Sequence, residues 1–398
     1  MTNTLPAPAV RDWLRTNAHP LTPTDADPGP LTDSLAAATV VGLGESTRFS
    51  VQTYGVAEGI FRGLVRRHGF RTLALQDGAR SGDRMNRYVL GGDGTAEEAL
   101  AGAWRPLRTR ELADTLDWIR GFNAAHPDDP VQVFGVQAPH AEESDYDAVL
   151  SYAQAEAPEH LAALTTHLET IRTAHRVDEH VQRHNGVHPG RPFAEHARDA
   201  LALLETLPAT PSQASALDHA RLILDFHENS VAGRGSFARD DEEETAANRI
   251  ADHRRRTGAK IVYRDGIAHT AAVDMGYGDA LFRSPGSRLR AALGTGYASV
   301  AIGFHHGDLD ITVVPEPGAD HVDALLGTID APAHYVDLRS PAPESVRAWL
   351  DGPGKFRVIS GVYDPAEDHK AHLDVPAIAA AFDVLVHIRE ATPLRWLD

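Results

Sequence analysis

The sequence predicts an α/β fold: a mainly parallel sheet flanked by helices, with a helical insertion lying over one end of the sheet as a lid. Three observations carry that expectation. Short apolar runs rich in valine recur at residues 39–43, 72–75, 131–136, 261–263 and 297–302, each bounded by Gly, Pro, Asp or another turn residue, as buried parallel strands require. Longer segments with helical spacing separate them: residues 56–68, which stop at Gly69, and residues 112–123, which set Leu112, Leu116, Trp118, Ile119 and Phe122 near one face. Residues 141–235 carry helical spacing with no strand between, through Leu161, Leu164, Leu168 and Ile171, then Ala200, Leu201, Leu203 and Leu204, then Ala220, Leu222, Ile223 and Phe226. The expected organisation is therefore a core of residues 1–140 and 236–398 interrupted by a helical insertion, 141–235. The acidic run at 240–244 reads as the solvated first turn of a helix, where negative charge is favoured.

Composition excludes several functions. Against 38 Lys+Arg stand 56 Asp+Glu, a formal net charge of -18. A surface of that sign repels phosphate backbones and anionic lipid, so neither a nucleic-acid nor a membrane partner is expected. Cysteine is absent from all 398 residues, which removes disulfides, thiolate metal sites and cysteine nucleophiles. No stretch approaches the roughly 20 apolar residues of a spanning helix, and the opening residues lack a secretory pattern, so a cytoplasmic location is expected. The richness in Ala, Arg, Gly and Asp fits a high-GC bacterial, actinobacterial-type genome.

Several ordered motifs point further. Val40-Val41-Gly42-Leu43-Gly44-Glu45-Ser46-Thr47-Arg48-Phe49 is a strand ending in Gly-Glu; Gly69-Phe70-Arg71-Thr72-Leu73-Ala74-Leu75-Gln76 is a second strand ending in a polar residue. Asn86-Arg87-Tyr88-Val89, the Gly91-Gly92-Asp93-Gly94 turn, residues 109–111, Trp118-Ile119-Arg120-Gly121-Phe122-Asn123, Arg239-Asp240 with Asn248, residues 260–269, Phe382-Asp383-Val384-Leu385-Val386-His387-Ile388 and Thr392-Pro393-Leu394 follow in order. In order and spacing the chain resembles the erythromycin esterase family over nearly its whole length. The resemblance implies a metal-independent cleft with no cofactor at the carboxyl ends of parallel strands, where a histidine activates water against a macrolactone ester. It places Glu45, Gln76 and His269 at that crevice.

The substitutions within those motifs are as informative. By the resemblance Arg48 stands where the family carries its general base, yet a guanidinium stays protonated and accepts no proton. Gln76 stands where a Glu is usual, Gly266 where the first His of an Ala-His-Asn-Ala-His segment is, and Ile267 on its Asn; Gln52 and Ala57 replace an acidic and a basic position. Losing a general base alone costs about 10²–10⁴ in rate. Efficient ester hydrolysis by the family mechanism is therefore not expected.

Glu45, Arg48 and His269 are the catalytic candidates, and Gln76, Asp77, Arg239, Arg264, Asp265 and His305 the substrate-binding ones. Arg48 would hold a substrate carboxylate or a developing oxyanion, while Glu45 and His269 exchange protons with it. The expected function is a non-hydrolytic tailoring enzyme in antibiotic-type secondary metabolism, a cyclase, isomerase or lyase acting on a bulky natural-product intermediate such as a polyketide. A macrolide ester hydrolase and an inactive small-molecule-binding protein are the alternatives. Structural readings stand beside these roles: an Arg48–Glu45 ion pair holding a loop, a hydrogen-bonded Gln76, a His269 bonded to nearby backbone. Arg264 and Asp265 are adjacent, so one of them at most is expected in the cleft. His175, His180, His184 and His188 lack any His-Glu-x-x-His pattern and read as lid surface. No Gly-x-Ser-x-Gly elbow or phosphate loop occurs.

Overall fold

The computed structural model describes residues 8–22, 28–138, 141–188, 190–229, 240–277 and 280–397. In chain order its main elements are β1 (Ala18–Pro20), β2 (Val40–Glu45), α1 (Val51–His68), β3 (Phe70–Gly78), α2 (Ala79–Val89), α3 (Arg110–Ala125) and β4 (Gln132–Gln137). Then come α4 (Glu143–Glu156), α5 (Pro158–Arg172), α6 (Phe193–Glu205), α7 (Pro211–Asn229), α8 (Asp240–Thr257), β5 (Lys260–Gly266) and α9 (Ile267–Thr270). Helix α10 (Pro285–Leu293), β6 (Tyr297–Asp308), β7 (Ala333–Asp337) and β8 (Val384–Ala391) complete the sheet.

The sheet runs β1-β7-β8-β6-β2-β5-β3-β4. All six strands from β8 to β4 are parallel. Strand β7 lies antiparallel beside β8, and β1 antiparallel beside β7. Side-chain alternation divides the core into two layers. Val41, Leu43, Leu73 and Leu75 pack against α1 and α3 in one apolar cluster; Val40, Ala74 and Tyr263 pack against α8 and α10 in another. Burial on both faces is why these strands read as continuous apolar runs and not as alternating ones. Local chemistry sets the helix ends. Ser50 accepts the Thr53 amide at the start of α1, Thr109 accepts the Leu112 amide at the start of α3, and Gly69 closes α1 at φ 69°.

Residues 143–229 supply α4 to α7 and a short helix, Glu179–His184, with no strand between them. They enclose a buried cluster of their own, including Val149, Leu164, Leu168, Ile171, Phe193, Leu204 and Ile223. The fully buried Tyr146 hydroxyl meets His227 Nε2 at 2.7 Å and His175 Nε2 at 3.2 Å, and the His175 ring stacks on Phe226. His175, expected at the lid surface, is thus part of the packing, because the phenol offers it a partner inside. Among the described residues no helix is long and apolar enough to cross a membrane.

Two glycines let the strand ends close up. A Cβ on Gly44 would lie 2.1 Å from Thr270 Oγ1 and 2.9 Å from Ile267 Cα, so α9 is seated directly on β2. A Cβ on Gly42 would lie 2.2 Å from the Tyr297 hydroxyl. Any larger residue at position 44 would push the turn that carries His269 away from the strand end.

Candidate active site

The floor of the site lies where β2 and β5 end. Parallel pairing sets Leu43 beside Arg264, Gly44 beside Asp265 and Glu45 beside Gly266. Alternation sends Arg264 and Asp265 to opposite faces of the sheet, as the sequence implies. The Arg264 guanidinium lies 3.6 Å above the Tyr54 ring of α1, while Asp265 Oδ2 accepts the Tyr263 hydroxyl at 2.5 Å on the other side. Yet both join one network. Glu45 Oε2 accepts from Arg264 Nη2 at 3.1 Å; Glu45 Oε1 faces Arg48 Nε at 3.4 Å; Arg48 Nη2 donates to Asp265 Oδ1 at 3.0 Å. Arg48, three residues past the strand, wraps around the end of the sheet and ties its two faces together.

Arg48 is therefore not a free cation awaiting a substrate carboxylate. Its side chain is 15% exposed between Glu45 and Asp265, which are 5% and 3% exposed, and the ion-pair reading describes it better. Buried charges persist only when paired and hydrogen-bonded, and this set satisfies that condition.

The α9 turn brings His269 to the same place. Its Nδ1 lies 2.9 Å from Glu243 Oε2, on the first turn of α8, and its ring meets Phe282 edge-on. Burial alone would lower the imidazole pKa. The Asp265 and Glu243 carboxylates outweigh that, against opposition from Arg48, and raise it from 6.5 to about 9. His269 is thus an imidazolium at neutral pH. Glu243, expected to be solvated, is only 14% exposed because His269 draws it in. Three carboxylates (Glu45, Asp265, Glu243) face three cations (Arg48, Arg264, protonated His269), so the floor is charge-balanced. Gly266 completes it. A Cβ there would stand 3.1 Å from Arg48 Nη2 and 3.5 Å from His269 Cδ2. The guanidinium occupies space that a side chain at 266 would claim, so arginine at 48 and glycine at 266 are sterically a single change.

The roof is built from the end of β3, the segment between α2 and α3, and the helices of 143–229. Asp77 is fully buried and accepts the amides of Gly78 and Trp104. Burial drives its pKa up to about 7, and those two amides oppose the rise. Asp77 thereby anchors Trp104, whose ring lies 4.5 Å from the Arg48 guanidinium and whose Nε1 donates to Asp178 Oδ1 at 3.4 Å. Burial also raises the Asp178 pKa, against His180, the Trp104 hydrogen bond and Arg48. Gln76 sits at the end of β3, next after the Leu75 that pairs with Arg264. Its Oε1 is buried with no hydrogen-bond partner among the described residues. Arg239 lies outside the described residues.

A strap forms one wall. Arg357, 1% exposed, donates to the carbonyls of His305 and Pro315 and grips Asp368 with Nη2 at 2.9 and 3.1 Å. From there the chain runs along the strand end, with the Ile359 amide on the Ser46 carbonyl at 2.8 Å. A Cβ on Gly361 would stand 3.4 Å from Val181 of the helical segment.

His305 is placed elsewhere. It bonds His306 Nδ1 at 3.0 Å, and its ring covers Gly327. It begins a row across three neighbouring strands, with ring centroids 6.1 Å from His305 to His387 and 5.4 Å from His387 to His334. Strand β6 runs three residues past Ile302, the partner of Glu45, before reaching His305, which carries that ring beyond the floor. His334 and His387 are each 1% exposed. Burial holds His305, His334 and His387 below the ordinary value of 6.5, His334 at about 4, and in the helical segment it holds His227 at about 3. Unfolding therefore takes up protons below 6.5. The stability these neutral rings permit is complete above that pH and is lost as pH falls towards 4, by up to about 3 kcal/mol for His334. His269 has the opposite sign and gives up its contribution as pH rises through about 9. Melting temperature measured against pH should fall steeply between pH 6.5 and 4.5; a flat acid limb would contradict this account.

Sequence reasoning did not single out Glu243, Trp104 or Asp178. The acidic run marked the first; no periodicity marks the other two, which meet only when the helical segment folds over the segment between α2 and α3.

The sequence model of the erythromycin esterase family matches residues 65–391. That span includes Gln76, Arg264, Asp265, His269 and His305 and begins after Arg48. No curated protein sequence gives a significant match. Among solved structures the fold is similar to a Bacillus cereus protein (20% identity, TM-score 0.67, 98% of each chain). It is also similar to a succinoglycan biosynthesis protein (18% identity, TM-score 0.64, 97% of each chain). A third is a variant of the erythromycin esterase EreC in its open conformation (14% identity, TM-score 0.55, 92% of this chain and 93% of that one). A mostly parallel sheet flanked by helices is common to them, and with a family match over most of its length the chain belongs to the erythromycin esterase family.

Proposed function

We propose that this chain is an erythromycin esterase-like enzyme that moves protons on a bulky natural-product intermediate without using water as its nucleophile, in a cyclisation, isomerisation or elimination. The observation that carries this reading is Arg48 bonded between Glu45 and Asp265. At the position from which the family is understood to deprotonate water stands a group that accepts no proton. Its neighbours offer no substitute: Glu45 and Asp265 are engaged by arginines and His269 already carries its proton. A site that lacks a base for water but holds a proton-bearing imidazolium suits proton delivery. Residues 141–235 serve as the lid of this reading, with Asp178 as their contact over Trp104; the open conformation of the EreC variant is in keeping with such a movement.

The test uses purified protein and a macrolide lactone, followed by liquid chromatography and mass spectrometry. No product carrying an added water is expected. Ring opening at esterase-like rates would overturn the reading in favour of the hydrolase. A thermal-shift screen of polyketide lactones and hydroxy acids then supplies ligands: recovery of an isomer or dehydrated product supports the enzyme, and recovery of unchanged ligand throughout supports a binding protein.

A further inference from the structure

His269 carries the imidazole of the floor, bonded to a carboxylate from another element, so what fixes its ring decides what it can do. Four features surround it. The α9 turn sits on Gly44 with no side chain between, and fixes the backbone of the ring. Phe282 stands edge-on to it at 5.7 Å. Gly266 leaves the Cδ2 edge open towards Arg48. Glu243 Oε2, 2.9 Å from Nδ1, comes from a different element, the first turn of α8. A carboxylate only accepts, so Nδ1 carries the hydrogen of that contact and the proton that leaves on transfer is the one on Nε2.

We propose that Glu243 is a positioning residue: by fixing Nδ1–H of His269 it makes this histidine the proton donor of the site, for a substrate whose carbonyl or hydroxyl oxygen gains a proton as the reaction proceeds. This rests on the proton-transfer reading above. In the step, the N–H bond at His269 breaks and its electron pair stays on nitrogen while an O–H bond forms on the substrate; the proton the substrate loses in return passes to solvent water, from which the neutral imidazole is recharged. Glu243 orders the ring and does not touch the substrate. The charged groups facing the ring are Glu243 from α8, Asp265 from β5 and Arg48 from the segment after β2. Burial opposes the cation most strongly and the guanidinium opposes it too, while the two carboxylates favour it, so Glu243 is one of the two groups that hold the ring charged.

The experiment follows imidazole nitrogens by NMR in ¹⁵N-histidine-labelled full-length protein, with the His269 signals assigned from His269→Gln. In the wild type a His269 that keeps Nδ1 protonated and hydrogen-bonded through neutral pH is expected. Glu243→Gln keeps an acceptor at Nδ1 but removes its charge, and should lower the His269 midpoint by about 1–3 units. Glu244→Gln, an exposed neighbour on the same helix turn, should leave it in place. A Glu243→Gln protein whose His269 titrates like the wild type overturns the proposal. If that variant fails to fold, the wild type decides: a His269 with unprotonated Nδ1 at neutral pH overturns it equally. Ring opening of a macrolide would remove the reading of the previous section and leave this pairing standing. An unmoved His269 signal would remove the pairing alone.

Discussion

Replacing Arg264 by methionine should destabilise the protein by about 3–5 kcal/mol, the usual cost of stranding one member of a buried ion pair. Arg264 is 7% exposed; its guanidinium bonds Glu45 Oε2 and covers the Tyr54 ring. Methionine fills much of the same volume, so the loss comes chiefly from Glu45, left 6% exposed and facing Arg48 alone of its two arginines. Removing both partners is far milder than removing one. Glu45→Gln combined with Arg264→Met should therefore recover most of the stability in urea titrations. A double variant no more stable than Arg264→Met would show that the two side chains are not coupled as described.

Arg357→Met should be comparably costly, about 3–5 kcal/mol, and should fail in a different way. Arg357 joins the end of β6, the Pro315 loop and Asp368, and Asp368 also accepts the Tyr363 hydroxyl at 2.8 Å. Its loss strands a carboxylate and two carbonyls and frees the strap beside Ser46. Hydrogen exchange at the Ile359 amide, which is bonded to the Ser46 carbonyl, should rise well above the increase at core amides of β2. The His269 NMR signals should change little, because the six charges of the floor are untouched. Uniform acceleration across β2 and the strap would mean that Arg357 supports the whole sheet and not this wall.

The strands were legible because burial on both faces leaves contiguous Val, Leu and Ile between turn residues, and each expected run overlaps one observed strand. The helices of 143–229 were legible from their spacing. The site was legible only where a residue ends a strand: Glu45, Arg264, Asp265 and His269 do meet. What could not be read was compensation. The period-two rule separates Arg264 from Asp265 and says nothing of an arginine three residues beyond β2 that reaches around the edge. Nor does a run of acids show that Glu243, and not Glu244, turns inward; that depends on a turn between β5 and β6, remote from α8 until the chain folds. His305 shows the converse. A histidine just past a strand looks like a site residue, but β6 continues and carries it to another cluster.

The floor of this cleft and the helical part of its roof are encoded in separate tracts of the gene. Strand termini and two short turns contribute the proton inventory, whereas Asp178 arrives on one uninterrupted stretch inserted between β4 and α8. Such a layout makes the stretch an exchangeable cassette: natural drift or deliberate shuffling can reshape which molecules are admitted while every acid and base beneath keeps its neighbour.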